Sequence, residues 1–384
     1  MRKSKVFPLI ILIISIGIIS FSMKICLSPG DWLELNGKYD LPGAYIKDGK
    51  TFWRIDAHFE STALEYKGIS ITIESSETIG DDATVLFVDA GENEERVWGY
   101  LKKLLKSSKK FVYICVYDID YSPFVRELKN IKKNGVDVKV ISELNNKNPF
   151  CDELGLVYDS NPKLMHNKFL VIDGYAVVTG SLNFTQNGFK KNNNNVVVVF
   201  SNELAQEYME EFQEMLDGTF GGGKFSPVLI RTDLGTIQPI FTPDDKNATE
   251  KIVSLIDRAI KSVHVMMFAF TSRDIAMALV RARNRGLDVR VIMEGFQASN
   301  RWSVYSFLKD NEVPVILDKN PGVFHHKVMI VDGKYTLTGS FNYTNSAQRS
   351  NDENFLIITD PSISKTFERK FEYYWQSWSK NDLQ

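Results

Sequence analysis

The chain is short of the residue types that build a metal or disulfide scaffold. Its 384 residues include 3 cysteines, Cys26, Cys115 and Cys151. They make no close metal-type spacing, and three thiols cannot form a disulfide framework. A Cys115–Cys151 bridge is conceivable outside the cytoplasm, but nothing else in the sequence supports one. An excess of one charge is also missing, because 46 Lys and Arg face 48 Asp and Glu. That balance excludes a uniformly basic nucleic-acid binder and leaves room only for a local positive groove. The lysine clusters at 102, 103, 106, 109 and 110, and at 129, 132 and 133, read as solvated helix faces. Histidine is scarce too, at 5 residues, so any pattern among them carries weight.

What is present is globular: 43% hydrophobic and 24% charged residues, enough for two or three domains at about 150 residues each. Arg2, Lys3 and Lys5 precede an uncharged run from Val6 to Met23, closed by Lys24. As a helix that run would span about 27 Å, barely a bilayer core. A basic head before an apolar stretch fits a secretory signal or an uncleaved anchor over residues 1–25, with Ser20 and Ser22 as small residues near a cleavage point. Lys24 spoils a lipoprotein-type context for Cys26. The expected location is extracytoplasmic, either secreted or anchored by residues 6–23, with membrane contact through that segment.

Residues 26–80 alternate apolar and polar types between turns such as Asn36-Gly37 and Asp48-Gly49, as in a small β module. Its aromatics read first as the core of a small domain and only second as a base-stacking surface. Residues 81–223 and 224–384 then run in parallel. Each half opens with a strand (Val85–Val88; Pro239–Thr242) and an amphipathic helix through Leu101, Leu104 and Leu105, or Ile252, Leu255 and Ile256. A buried strand follows (Val112–Val116; Val263–Met267), then a helix ending at Asn134-Gly135 or Arg285-Gly286, then a further strand (Val136–Ile141; Leu287–Ile292). This alternation predicts an α/β sheet in each half. The offset between halves grows from 151 to 159, so the second carries eight extra residues between Ile292 and His325. The glycine-rich stretch Gly218–Lys224 is the expected joint.

The strongest signal lies at the larger offset. His166-Asn167-Lys168, Asp173 and Gly180-Ser181-Leu182-Asn183 return as His325-His326-Lys327, Asp332 and Gly339-Ser340-Phe341-Asn342. Over the thirty positions from His166 to Asn195, eleven residues match their partners, against about two by chance. Asp173-Gly174 and Asp332-Gly333 between apolar runs predict two-residue hairpin turns. Paired positions would then sum to 347 and 665, so His166 would face Ser181 and His325 would face Ser340. Each hairpin would gather an imidazole, an ammonium, a hydroxyl and an amide on one face.

That set suits a phosphodiester. Lys168 and Lys327 offset phosphate charge, while Asn183, Asn342, Ser181 and Ser340 offer donors to its oxygens. A neutral imidazole can attack phosphorus and a protonated one can donate to the departing oxygen, so His166 and His325 are the candidate catalytic pair. Asp173 and Asp332 stand at turns and read as structural. His326 points to the other face, and His58 and His264 have no partner pattern. Asn192–Asn195 stand in register with Asn351–Asn354, which argues against mere low complexity.

These motifs resemble those of the phospholipase D superfamily, H-x-K-x4-D followed by G-S-x-N, from Ala83 to the carboxyl end. The resemblance implies two α/β sandwich halves related by pseudo-twofold symmetry, a site at their interface, a covalent phosphohistidine, and no metal or other cofactor. It also implies that an acidic residue after each motif orients the histidine of the opposite half. Glu353 has that position in the second half, whereas the first has Asn194. The asymmetry suggests that Glu353 raises the basicity of His166 as nucleophile, and that Asn194 holds His325 as acid. Tyrosyl-DNA phosphodiesterases show a similar amide-first, acid-second arrangement. With both half-sites in one chain, no oligomer is required.

The second half, through Gly339–Thr344, Glu353-Asn354 and the Arg-Gly-Leu-Asp-Val-Arg run within Ile275–Val291, is similar to the superfamily's secreted endonucleases. Nucleic acid is therefore the expected substrate, with phospholipid as the alternative. Capture of the phosphohistidine by an alcohol would instead give headgroup transfer. A silent phosphate-binding module would need a damaged half-site, and none is visible. A basic groove near the site would favour nucleic acid, and an apolar rim would favour lipid.

Overall fold

The computed structural model describes residues 83–89, 93–223, 226–232 and 235–379, and only the strand backbones between residues 6 and 79. Contacts divide the chain into two compact units, Met1–Thr78 and Ile79–Gln384. In the first, Val6–Pro8, Trp32–Asn36, Lys50–Arg54 and Tyr45–Lys47 form one sheet, and Ser22–Leu27, Ile69–Ser75 and Ser61–Tyr66 another. The remainder of the apolar run 6–23 lies outside the described residues, as do His58 and the 224–225 end of the glycine-rich joint. Among the described residues no helix is long and apolar enough to cross a membrane.

The second unit holds both halves of the repeat. The first runs β1 (Ala83–Val88), α1 (Glu94–Ser107), β2 (Phe111–Val116), α2 (Ser122–Lys133), β3 (Asp137–Ser142), β4 (Val157–Tyr158), β5 (Lys168–Ile172), β6 (Ala176–Gly180), α3 (Gln186–Lys190), β7 (Asn194–Phe200) and α4 (Asn202–Leu216). The second runs β8 (Ile230–Thr232), β9 (Gly235–Thr242), α5 (Ala248–Arg258), β10 (Ser262–Met267), α6 (Arg273–Asn284), β11 (Asp288–Met293), α7 (Gly295–Ala298), α8 (Tyr305–Asp310), β12 (Val315–Leu317), β13 (Lys327–Val331), β14 (Tyr335–Gly339), α9 (Asn345–Arg349), β15 (Glu353–Thr359) and α10 (Pro361–Ser379). Sheet order is β4-β3-β2-β5-β6-β7-β1 in one half and β12-β11-β10-β13-β14-β15-β9-β8 in the other. The two orders match strand for strand from β4 to β1 and from β12 to β9. Short helices α7 and α8 fill the longer connection of the second half, where the first has two 3-10 turns at Leu144–Asn146 and Pro149–Leu154.

Burial explains the layering. α1 turns Val97, Leu101 and Leu105 onto one face of its sheet, and α5 does the same with Ala248, Ile252 and Ile256. The opposite faces of both sheets share one core. There Phe169, Val171 and Val197 meet Val328, Ile330 and Leu356, with Tyr208 and Phe212 of α4 and Phe367 and Phe371 of α10 between them. The halves are thus fused through a common apolar interior, which fixes the interface where the motifs meet.

Two expectations need correction. Pro239 does not open its strand: β9 begins at Gly235, and Pro239 pairs with Leu356. It is tolerated because the neighbouring strand β8 reaches only Ile237, so no ladder needs its missing N–H. The hairpin registers are also shifted by one. The turns form as expected, with Asp173 and Gly174 at φ 54° and 69° and the Tyr175 N–H donating to the Ile172 carbonyl. The ladder, however, pairs Ile172 with Ala176 and Val331 with Tyr335, which leaves Tyr175 and Lys334 as extra, bulged residues. The cause is tertiary. The Asp173 carboxylate accepts from the backbone N–H groups of Lys109, Lys110 and Phe111, and Asp332 accepts from those of Ile260, Lys261 and Ser262. Each aspartate staples its hairpin tip to the start of the neighbouring strand. Among the cysteines, Cys115 and Cys151 are buried free thiols, so no bridge joins them. Cys115 lies against the sulfurs of Met165 and Met215, and Cys151 against the Ile119 carbonyl.

Candidate active site

Each half supplies the strand that carries a histidine and a lysine, and the other half supplies what holds that histidine. The segment before β5 joins the second half: the His166 N–H donates to the Asp352 carbonyl, and the Asp352 N–H donates to Leu164. The mirrored bonds run from His325 to Asn193 and from Asn193 to Val323. Imidazole Nδ1 of His166 lies 2.6 Å from Glu353 Oε2. Because a carboxylate only accepts, Nδ1 carries the proton and Nε2 keeps its lone pair. Nδ1 of His325 lies 3.0 Å from both the Ser181 carbonyl and Asn194 Oδ1, which selects the same tautomer.

The holders are themselves held. Glu353 accepts from the Ser340 hydroxyl at 2.7 Å and from Asn351 Nδ2 at 3.1 Å. Asn194 accepts from the Ser181 hydroxyl at 3.0 Å and donates to the Gly188 carbonyl. Both serine hydroxyls are therefore committed to the orienting residues, which corrects their expected role as phosphate donors. The glycine before each serine has a steric cause. A Cβ on Gly180 would lie 2.3 Å from the Asn195 carbonyl oxygen, and one on Gly339 would lie 2.2 Å from that of Asn354. Only glycine lets the Ser181 and Ser340 N–H groups donate to those carbonyls.

Both lysines are almost wholly buried. Each Nζ donates to the carbonyl of its own motif's histidine at 2.8 Å, which turns the ammonium back along the strand towards the site. Burial brings the Lys168 ammonium down to about 7 and Lys327 well below the ordinary lysine range. Burial also brings His166 down to about 4, and Glu353 only partly offsets that fall. His325 lies far below its usual value, through burial and then the nearby Lys327, Lys168 and His166 charges. Glu353 is held below the usual carboxylate value, because the His166 contact, Lys168 and Ser340 outweigh burial. The expected basicity of His166 is thus corrected: Glu353 does raise it, but burial wins and the ring is neutral.

His166 lies against Glu353 of the second half and His325 against Ser181 and Asn194 of the first, so the structure brings both histidines, each with its lysine, to one interface. Asn342 and Asn183 stand two residues beyond Ser340 and Ser181. Asn342 receives the Ala269 N–H on its side-chain oxygen, while the oxygen of Asn183 is buried without a partner. Two aromatic walls escaped the sequence reading. The Tyr117 ring lies 5.0 Å from His166 and Phe268 lies 4.9 Å from His325, with Lys168 and Lys327 over the respective faces. The signal was available, since Tyr117 and Phe268 are partners at the 151 offset.

Asn195 and Asn354 were also underweighted. Asn195 bonds Thr338 and His326 across the interface, while Asn354 bonds Thr179, Tyr208 and the Lys168 N–H. His326 belongs to this packing layer, and His264 is taken up by Glu368 and Asp288. Neither is part of the site.

The family model described as "Cardiolipin synthase, PLD-like domain" matches residues 101–216 and 252–375. A phospholipase D of Rickettsia felis is 34% identical over 139 residues, 36% of this chain and 68% of that protein. A mitochondrial cardiolipin hydrolase of Xenopus tropicalis is 35% identical over 136 residues, 35% of this chain and 65% of that protein. The chain thus spans about two thirds of each relative. Among solved structures, a phosphatidylserine synthase of Haemophilus influenzae superposes with a TM-score of 0.60. That match covers 83% of this chain and 88% of the other at 14% identity, a likeness of fold alone.

Proposed function

The chain belongs to the phospholipase D-like family, and from that premise we propose that it hydrolyses a phosphodiester through a phosphohistidine on His166, drawing its substrate from phospholipid. The observation that carries the mechanism is the unequal pair of holders, Glu353 on His166 and Asn194 on His325. The carboxylate stabilises the cation that His166 becomes when Nε2 bonds phosphorus. The amide gives His325 no such support, which suits a group that must release its proton. His325, neutral in the empty site, takes up a proton on Nε2 when the anionic diester binds and donates it to the departing oxygen, and the alcohol leaves. Neutral His325 then takes a proton from water as the water attacks phosphorus, the P–N bond breaks, and a phosphomonoester departs.

Charge supports a diester. Burial favours the neutral forms of both rings and both lysines in the empty site, and a phosphodiester brings one negative charge there. Its arrival raises the proton affinity of both lysines and of His325. These groups supply positive charge and donors without a metal ion, so turnover should withstand excess chelator.

The names of the relatives, a phospholipase D and a cardiolipin hydrolase, weigh towards lipid. Nucleic acid is the second reading, favoured by the likeness of the second half to secreted endonucleases. The test offers the full chain phospholipid vesicles, single-stranded DNA and duplex DNA in parallel, with chelator. Release of headgroup or lipid alcohol is expected; cleavage of nucleic acid alone would overturn the lipid reading.

A further inference from the structure

Tyr117 and Phe268 follow directly on β2 and β10, whose carboxyl ends therefore face the site. Strands β3 and β11 lie parallel to them in register, Val116 beside Ser142 and Met267 beside Met293. The loops leaving β3 and β11 must then emerge on the same rim. Hydrogen bonds tie them there. Asn146 donates to the carbonyl of Tyr117, and the Glu294 N–H donates to Met267 while the Val304 N–H donates to Phe270. A third rim segment, residues 160–165, runs straight into His166.

Soluble surfaces seldom leave clustered large apolar side chains in water. These three segments expose Leu144, Phe150, Leu164, Phe296 and Trp302, the last two at 79% and 66%. The same segments expose Lys147, Lys163 and Arg301, and Arg301 stacks over the Trp302 ring at 4.6 Å. Residues 144–150, 160–165 and 295–304 contain no aspartate or glutamate. Aromatic side chains alone would fit stacked bases, but exposed leucines beside cations do not; they fit acyl chains beneath anionic headgroups.

We infer that this rim is a membrane-docking surface that seats the site on an anionic phospholipid bilayer. It rests on the lipid reading above for its biological sense, though docking and turnover are separately measurable. The apolar tips enter the headgroup–acyl boundary and the three cations meet lipid phosphates, which brings a headgroup diester to the mouth between Tyr117 and Phe268.

The experiment uses the full-length chain as H166N, so that no turnover intrudes. Hydrogen–deuterium exchange is followed with vesicles of phosphatidylcholine containing phosphatidylglycerol, and with single-stranded DNA. Protection of residues 144–150 and 295–304 by the vesicles and not by the DNA is expected. Tethering through residues 6–23 would protect only the amino-terminal peptides and would overturn the inference, as would equal protection by DNA. In the active chain, F296S/W302S should lower hydrolysis of vesicular lipid about tenfold or more while sparing bis(p-nitrophenyl) phosphate. Rim protection without lipid hydrolysis would defeat the lipid reading and leave docking standing; lipid hydrolysis indifferent to F296S/W302S would do the reverse.

Discussion

Glu353 reaches across the interface to hold Nδ1 of His166 at 2.6 Å, while the equivalent residue of the first half, Asn194, holds His325 at 3.0 Å through an amide oxygen. The two half-sites repeat the same histidine, lysine, serine and asparagine but differ in this charge. In the proposed mechanism that difference divides nucleophile from acid, because only His166 has a carboxylate to stabilise its cationic, phosphorylated form.

E353Q should therefore cost far more than its size. The amide keeps a hydrogen bond but loses the charge, and kcat should fall about 10²- to 10⁴-fold. N194A should fall less. Steady-state kinetics on bis(p-nitrophenyl) phosphate with both variants reads the contrast; equal losses would remove the basis for separate roles.

The pH profile of kcat/KM should differ from that of an ordinary histidine enzyme. His166 must be neutral, and burial brings it down to about 4, so the acid limb should lie near there instead of near 6.5. Lys168 must be charged to bind the diester, and burial brings it down to about 7, so activity should decline above that value. K168R, which stays protonated, should be slower overall and should lose the alkaline limb. An alkaline limb unchanged in K168R would contradict this assignment.

Asp173 and Asp332 test the boundary between chemistry and scaffold. Each carboxylate gathers three backbone N–H groups, so D173A should lower stability by about 1–3 kcal/mol. Turnover per folded molecule should stay near that of the parent. Urea unfolding beside active-site titration distinguishes this from a direct role.

The repeat made the site legible, because spacing alone paired His166 with His325 and Lys168 with Lys327. An α/β sheet in each half followed from the alternation of elements. The hairpin register did not, since the bulges at Tyr175 and Lys334 depend on Asp173 and Asp332 finding N–H groups more than sixty residues away. Gly180 and Gly339 showed that a turn was present, but not that a carbonyl from β7 or β15 presses on it. The neutral state of His166 was hidden for the same kind of reason. Its carboxylate partner could be named from sequence, whereas the burial that outweighs the carboxylate arises only when two sheets close over it.

The most direct measurement is an alkali-quenched reaction of H325N with bis(p-nitrophenyl) phosphate. This leaving group needs no proton, so the first step survives while water activation fails. Peptide mass spectrometry should find a p-nitrophenylphosphoryl group on His166, and H166N should show none. That group on His325 in H166N, or turnover in either variant at the parent rate without any covalent adduct, would contradict the account.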